Sequence, residues 1–241
     1  MELPKRVLSF LYHEVVDSPS ESGFQRKSAL PYKHSVKDFQ ENLEIIIDNA
    51  PEIKTFNSTT GKESSVTFLT FDDGGRSAYR IAGMLEDKGL KGHFFITSEY
   101  IGDSYFLNEA EIRELSNRGH VIGSHSHSHP NVFKSLNREQ MILEWSESKK
   151  ILEDITQEAV QSCSIPGGDA DRKSYETAET CGFKYLFNSE PLLKPKRLNN
   201  LIILGRVCPK NTTAPNKILQ YSKFKGIMLE SAKRKLKNGV K

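Results

Sequence analysis

Apolar positions along this chain follow two alternating rhythms. Short runs of period two, in which successive side chains face opposite sides, predict strands at Arg6–Tyr12, Val66–Phe71, Gly92–Thr97, His120–Ser124, Ala159–Ile165, Lys184–Asn188 and Leu201–Val207. Stripes of helical period lie between them. Val36, Phe39, Leu43, Ile46, Ile47 and Ala50 form one such stripe behind Ser35, a residue suited to cap a helix start. Arg76–Lys88 stops at Gly89, Glu109–Arg118 runs from Asn108 to Gly119, and Arg172–Cys181 stops at Gly182. Asn137 with Gln140 reads as a capping box opening a helix to about Ile155. Strand–helix alternation predicts a mainly parallel sheet, so the expected fold is α/β, a single-domain β/α barrel of about seven parallel strands over residues 1–241. No Pro/Gly/Ser linker or internal repeat divides the chain; its longest irregular stretch, residues 17–35, has the length of a lid or binding loop.

Composition narrows the class. The 241 residues are 37% hydrophobic and 27% charged, as in globular proteins, and no apolar run approaches the ~18 residues that cross a bilayer. Met1–Arg6 leads into a predicted strand and does not read as a signal peptide. Cys163, Cys181 and Cys208 are widely spaced and odd in number, which favours a reducing, cytoplasmic setting and argues against a thiolate metal cluster. Net charge is +3, yet residues 217–241 hold eight basic residues and one acidic residue. That basic C-terminal helix, with Lys233-Arg234-Lys235-Leu236-Lys237, reads first as a solvated terminal helix and secondly as a peripheral contact for anionic lipid. A mean hydropathy of −0.52 without aromatic–basic interleaving gives nucleic-acid binding little support.

The chemistry concentrates in two segments. Val66–Phe71 runs into Asp72-Asp73-Gly74, which places two carboxylates in one small volume. Like charges that close raise each other's pKa unless a cation joins them. His125 and His129 follow, spaced four apart, so in a helical turn their rings share one face. Two imidazoles and one carboxylate make three metal ligands and leave a position open, as catalytic sites do. His127 points away by alternation, although a His125/His127 pair stays open as the alternative. His93 and His120 begin their strands, at the other end of a barrel, and read as structural; Trp145 reads as helix packing.

Thr70-Phe71-Asp72-Asp73-Gly74, followed about fifty residues later by His125-Ser126-His127-Ser128-His129-Pro130, resembles the two leading motifs of the polysaccharide deacetylase (NodB-homology) family. Leu11-Tyr12-His13 and Gly92-His93-Phe94-Phe95 extend the resemblance over most of the chain. The resemblance implies a distorted β/α barrel that removes N-acetyl, or O-acetyl, groups from sugars. It implies that Asp73, His125 and His129 hold one divalent metal, zinc foremost with cobalt, nickel or iron acceptable, and that Asp72 is the general base. The acetylated carbohydrate is the implied partner. Backbone N–H groups near Gly74 and Gly75 are expected to stabilise the oxyanion.

Two departures from the family pattern qualify those expectations. The third motif keeps Pro166-Gly167-Gly168, a candidate substrate-binding segment, but has Ser164 where an arginine usually stands. Arg206, at the end of the last strand, is the candidate to supply that guanidinium. No histidine follows His129, so the family's late proton donor is missing. His13 is the expected substitute, with His127, Asp169 and Asp171 as alternatives. The functional alternatives are a metal-dependent hydrolase of another acyl or C–N bond, and a carbohydrate-binding protein that has lost turnover.

Overall fold

In chain order the elements are β1 (Val7–Tyr12), β2 (Glu14–Val15), β3 (Lys33–His34), α1 (Val36–Asn49), β4 (Val66–Phe71), α2 (Ser77–Glu86), β5 (His93–Ile96), α3 (Glu109–Asn117), β6 (Val121–Ser124), α4 (Arg138–Thr156), β7 (Ser162–Ser164), α5 (Arg172–Thr180), β8 (Tyr185–Phe187), β9 (Lys196–Leu198), β10 (Leu201–Leu204) and α6 (Pro215–Ser222). This is a computed structural model that describes residues 3–227 and 229–232. The caps read from sequence are made: Ser35 accepts from Asp38 N, and Asn108 and Asn137 each close a capping box.

All seven expected strands are present and mutually parallel, in the order β1-β4-β5-β6-β7-β8-β10. The sheet curls until its edges meet at one place. Val207, just beyond β10, bridges Phe10 of β1, with Leu11 N–H donating to Val207 O at 2.8 Å and Val207 N–H to Ser9 O at 2.9 Å. At the other end β9, which the sequence reading missed, pairs antiparallel with β10 and occupies its edge through Leu201↔Leu198. The barrel is therefore closed near the carboxyl ends of its strands and held open below, which is its distortion.

Period-two alternation sorts the strand residues into two cores. Val7, Val66, Phe68, Phe95, Tyr185, Phe187, Ile202 and Leu204 fill the inside. Leu8, Phe10, Leu69, Phe71, Phe94, Ile96, Leu186, Leu201 and Ile203 face outward against the helices. Continuing the inner parity upward gives Thr70 and Asp72 from β4, Ser164 from β7 and Arg206 after β10. All four are buried. The apolar interior thus ends in a polar layer at the carboxyl end of the barrel.

Several boundaries differ from expectation. β7 is three residues, not Ala159–Ile165. The 17–35 stretch is mainly irregular but ends in β3, which pairs with β2. Within the expected C-terminal helix, α6 ends at Ser222, and the Lys233–Lys237 run lies outside the described residues. Trp145 is buried against Phe133 and Phe183, at 4.5 and 5.7 Å between ring centres. Among the described residues no helix is long and apolar enough to cross a membrane.

Gly123, on the inner face of β6, is required by packing. A Cβ there would lie 2.6 Å from the Phe95 ring and 2.7 Å from Ser162 Oγ. Gly123→Ala is expected to lower unfolding free energy by about 1–3 kcal/mol, the usual cost of overpacking a tight core, measured by urea denaturation.

Candidate active site

β4 delivers both carboxylates at its carboxyl end, and backbone conformation separates them. Asp72 keeps the strand's inward direction, whereas Asp73 and Gly74 both have φ of 79°. A non-glycine residue there is strained, and such strain concentrates at functional sites. Asp72 turns into the barrel, where Arg206 grips it with Nη1 to Oδ1 at 2.7 Å and Nη2 to Oδ2 at 2.9 Å. Ser164 Oγ donates to Asp72 Oδ2 at 2.9 Å and accepts from Arg206 Nη2 at 2.7 Å. Arg206 Nε donates to Asn188 O at 3.0 Å. Burial alone would raise the Asp72 pKa; the Arg206 charge, with His125 behind it, overrides this and holds it below the ordinary carboxylate value.

Asp73 faces the histidines. Its Oδ1 lies 3.5 Å from both His125 Nε2 and His129 Nε2. His125 Nδ1–H donates to Ser164 O at 2.9 Å, an arrangement that leaves Nε2 as the free lone pair facing Asp73. The rings do not meet through a helical turn, as their spacing suggested. The 125–130 segment is irregular, with Ser126 and His129 in the left-handed region (φ 65° and 54°). Glu144 of α4 holds this turn: its carboxylate accepts from His127 N at 2.9 Å, Ser128 N at 2.8 Å and Ser128 Oγ at 2.6 Å.

The ligand atoms of Asp73, His125 and His129 lie within 4.8 Å of one another, all buried. Against burial, the imidazoles hold Asp73 well below its usual range, and Asp72 and Asp73 raise His125. Mixed nitrogen and oxygen donors with a fixed tautomer and surplus negative charge suit a divalent ion of the zinc type. The residues present fit that group.

The remaining predicted residues divide by position. His13 lines two adjoining cavities, one of about 490 Å³ with Asp72, Pro166, Gly167 and Gly168, the other of about 290 Å³ with Asp73, His125 and His129. Burial pushes its pKa down, against the Asp73 and Asp72 charges. His127 bonds to Ser98 Oγ, Asp171 caps α5, and Asp169 pairs with Lys134 at 2.8 Å. His93 bonds to Leu69 O and Phe56 N, and His120 to Glu86 and Gly92 N, both structural. Ile96 packs on Gly74, and the Glu14 carboxylate lies where a Gly75 Cβ would point.

Glu14 and Arg26 escaped the sequence reading. Glu14 offered a signal, a lone carboxylate in the apolar run Leu11–Val16. It accepts from Gly23 N at 2.5 Å and Ser77 Oγ at 3.1 Å, which ties the irregular loop to the start of α2. Arg26 sits in that loop with no local pattern to mark it, and its Nη2 donates to His129 Nδ1 at 3.1 Å.

The profile described as polysaccharide deacetylase matches residues 59–186, more than half of the chain and inclusive of both acidic and histidine motifs. The chain belongs to the polysaccharide deacetylase family. Among curated relatives, YxkH of Bacillus subtilis (strain 168) is 26% identical over 64% of this chain and 58% of its own length. The peptidoglycan-N-acetylmuramic acid deacetylase PdaA of the same organism is 29% identical over 49% of this chain and 41% of its own. The chain thus spans about half the length of these relatives. A solved polysaccharide deacetylase from Bacillus cereus shares the fold with a TM-score of 0.74 at 21% identity, over 90% of this chain and 69% of that one. A de-N-acetylase from Aggregatibacter actinomycetemcomitans superposes with a TM-score of 0.75 at 17% identity, covering 90% and 99%.

Two stability predictions follow from the charges. Arg206→Ala leaves Asp72 buried and unpaired, at an expected cost of about 3–5 kcal/mol near pH 7. Because Asp72 titrates below its unfolded value near 4, the pair's contribution is complete above that pH and is lost as pH falls through the folded value. Denaturation curves should show the gap between wild type and Arg206→Ala narrowing on acidification. Glu14 has the opposite sign. Burial pushes it up to about 7, against the Gly23 N–H bond. Between about 4.5 and about 7 the folded chain then holds more protons than the unfolded one, so stability falls as pH rises. Glu14→Gln should remove a decline on the order of 2–3 kcal/mol across that window.

Proposed function

We propose that this chain is a metal-dependent hydrolase that removes N-acetyl groups from an amino sugar within an oligosaccharide or polysaccharide. The observation that carries the reading is the Asp73–His125–His129 cluster lying beside an ionised Asp72, at the carboxyl end of a parallel barrel and open to a cavity. Family membership supports it, as do relatives named for acting on N-acetylmuramic acid and N-acetylglucosamine units of peptidoglycan. The odd number and wide spacing of Cys163, Cys181 and Cys208 support a cytoplasmic setting.

Asp73, His125 and His129 would hold the ion, zinc by preference. When bound, it polarises the acetyl carbonyl and makes water acidic enough for a weak base to deprotonate. Asp72 takes that proton on its carboxylate. Arg206 and Ser164 keep Asp72 ionised and aimed, the guanidinium acting from β10 in place of the family's third-motif arginine. His13, in the same cavities, is positioned to pass a proton to the departing amine, a step that requires it to be protonated first because burial favours its neutral form. Pro166, Gly167 and Gly168 form a wall for the sugar. Gly168 has φ of 69°, and a Cβ there would strike Ser189.

Purified protein should carry about one divalent ion per chain, lost in Asp73→Ala. Acetate release from N-acetylated oligosaccharides should fall about 10²–10⁴-fold in kcat for Asp72→Asn and for His13→Gln. Protein that stays metal-free after supplementation with zinc, cobalt and nickel would overturn the reading. Metal and sugar binding without acetate release would leave the binding-protein alternative.

A further inference from the structure

The irregular loop between β2 and β3 carries a cation to the edge of the cluster. Arg26 donates through Nη2 to His129 Nδ1 at 3.1 Å and through Nη1 to Asn131 Oδ1 at 2.8 Å. Its guanidinium carbon stands 4.8 Å from the centre of the Phe24 ring, which itself packs at 4.7 Å on His129. The side chain is exposed, lines the 290 Å³ cavity with His13, Asp73, His125 and His129, and among the described residues pairs with no carboxylate. The loop that holds it is anchored, since Glu14 accepts from Gly23 N and Lys33 Nζ bonds to Ser22 Oγ and to Pro19 O.

The local charge balance gives this cation a meaning. Asp72 is bound by Arg206 and stands 3.8 Å from His125 Nε2, whereas Asp73 is the carboxylate that reaches both imidazoles and the divalent ion they suit. Arg26 adds a further positive charge at the mouth, where low-dielectric walls concentrate the field. An imidazole that ligates through Nε2 carries its proton on Nδ1, which turns a donor toward the Arg26 donor and frees the guanidinium. A neutral sugar leaves that charge unanswered. A carboxylate answers it with two parallel charge-assisted hydrogen bonds in the planar geometry a guanidinium favours. Its place in the wall of the same cavity as Asp73, His125 and His129 limits the reach: the carboxylate must sit on a substituent next to the acetamido group, not several sugars away.

Resting on the deacetylase reading, we propose that Arg26 is a specificity-determining residue that selects acetylated amino sugars carrying a carboxylate beside the acetamido group.

The test compares kcat/KM for three probes: an N-acetylmuramic-acid-containing disaccharide, its carboxyl methyl ester, and N,N′-diacetylchitobiose. Wild type should prefer the free acid over the ester by roughly ten- to a hundredfold, the range for a hydrogen bond to a charged group. Arg26→Gln should bring the ratio near unity, and Arg26→Lys should restore part of it. Calorimetric binding of the de-N-acetylated acid and its ester, which have no acetyl group to lose, should show the same preference and the same loss. Equal treatment of acid and ester by wild type, or a ratio that survives Arg26→Gln, overturns the assignment. If none of the three probes is hydrolysed while binding still discriminates through Arg26, the deacetylase reading fails and the recognition role stands.

Discussion

The buried pairing of Asp72 with Arg206 is the constraint on which the site depends. It joins the end of β4 to the chain beyond β10, across the inside of the barrel, with Ser164 of β7 as the third partner. Desolvating two charges is costly, and such a pair adds little net stability over apolar packing. Its consequence lies elsewhere. It keeps a carboxylate ionised in a buried polar layer and holds it in one orientation, and removing either partner strands the other. The Val207–Phe10 bridge that closes the barrel one residue beyond Arg206 serves the same geometry.

Around that pair the chain accepts local strain to place metal-type ligands. Asp73, Ser126 and His129 all adopt positive φ, a conformation disfavoured for residues with a Cβ. For Asp73 the result is that two adjacent carboxylates point apart, one to a guanidinium and one to two imidazoles. For the histidine turn, the Glu144 carboxylate replaces the hydrogen bonds a helix would have given. Both turns rest on rigid elements, β4 and α4, so the candidate ligands are held by the scaffold and not by the loops alone.

The departures from the family pattern follow the same logic. Guanidinium support for a catalytic carboxylate needs a position on the inner face near the carboxyl end, and several strands offer one. In this chain β7 contributes only a hydroxyl, and the charge enters from beyond β10, where parity with Ile202 and Leu204 directs it inward. His13, placed after β1, occupies the same cavities as the cluster.

The sequence by itself determined the parallel strand order's ingredients and the candidate ligand set. Alternation in Val66–Phe71 made Asp72 an inward group, and the motifs around Asp73, His125 and His129 marked the donors, because period and residue type are local properties. Tertiary structure alone decided how those donors meet. The histidine spacing suggested a helix, whereas the rings converge through a left-handed turn braced by Glu144, fifteen residues from His129. Arg206 lies 134 residues from Asp72, and Arg26 lies 103 from His129; no local pattern encodes such distances. β9 escaped notice because a three-residue edge strand with a mostly exposed pattern has no apolar rhythm to read. Composition and periodicity report which face each residue prefers, but only the curl of the sheet brings those faces together.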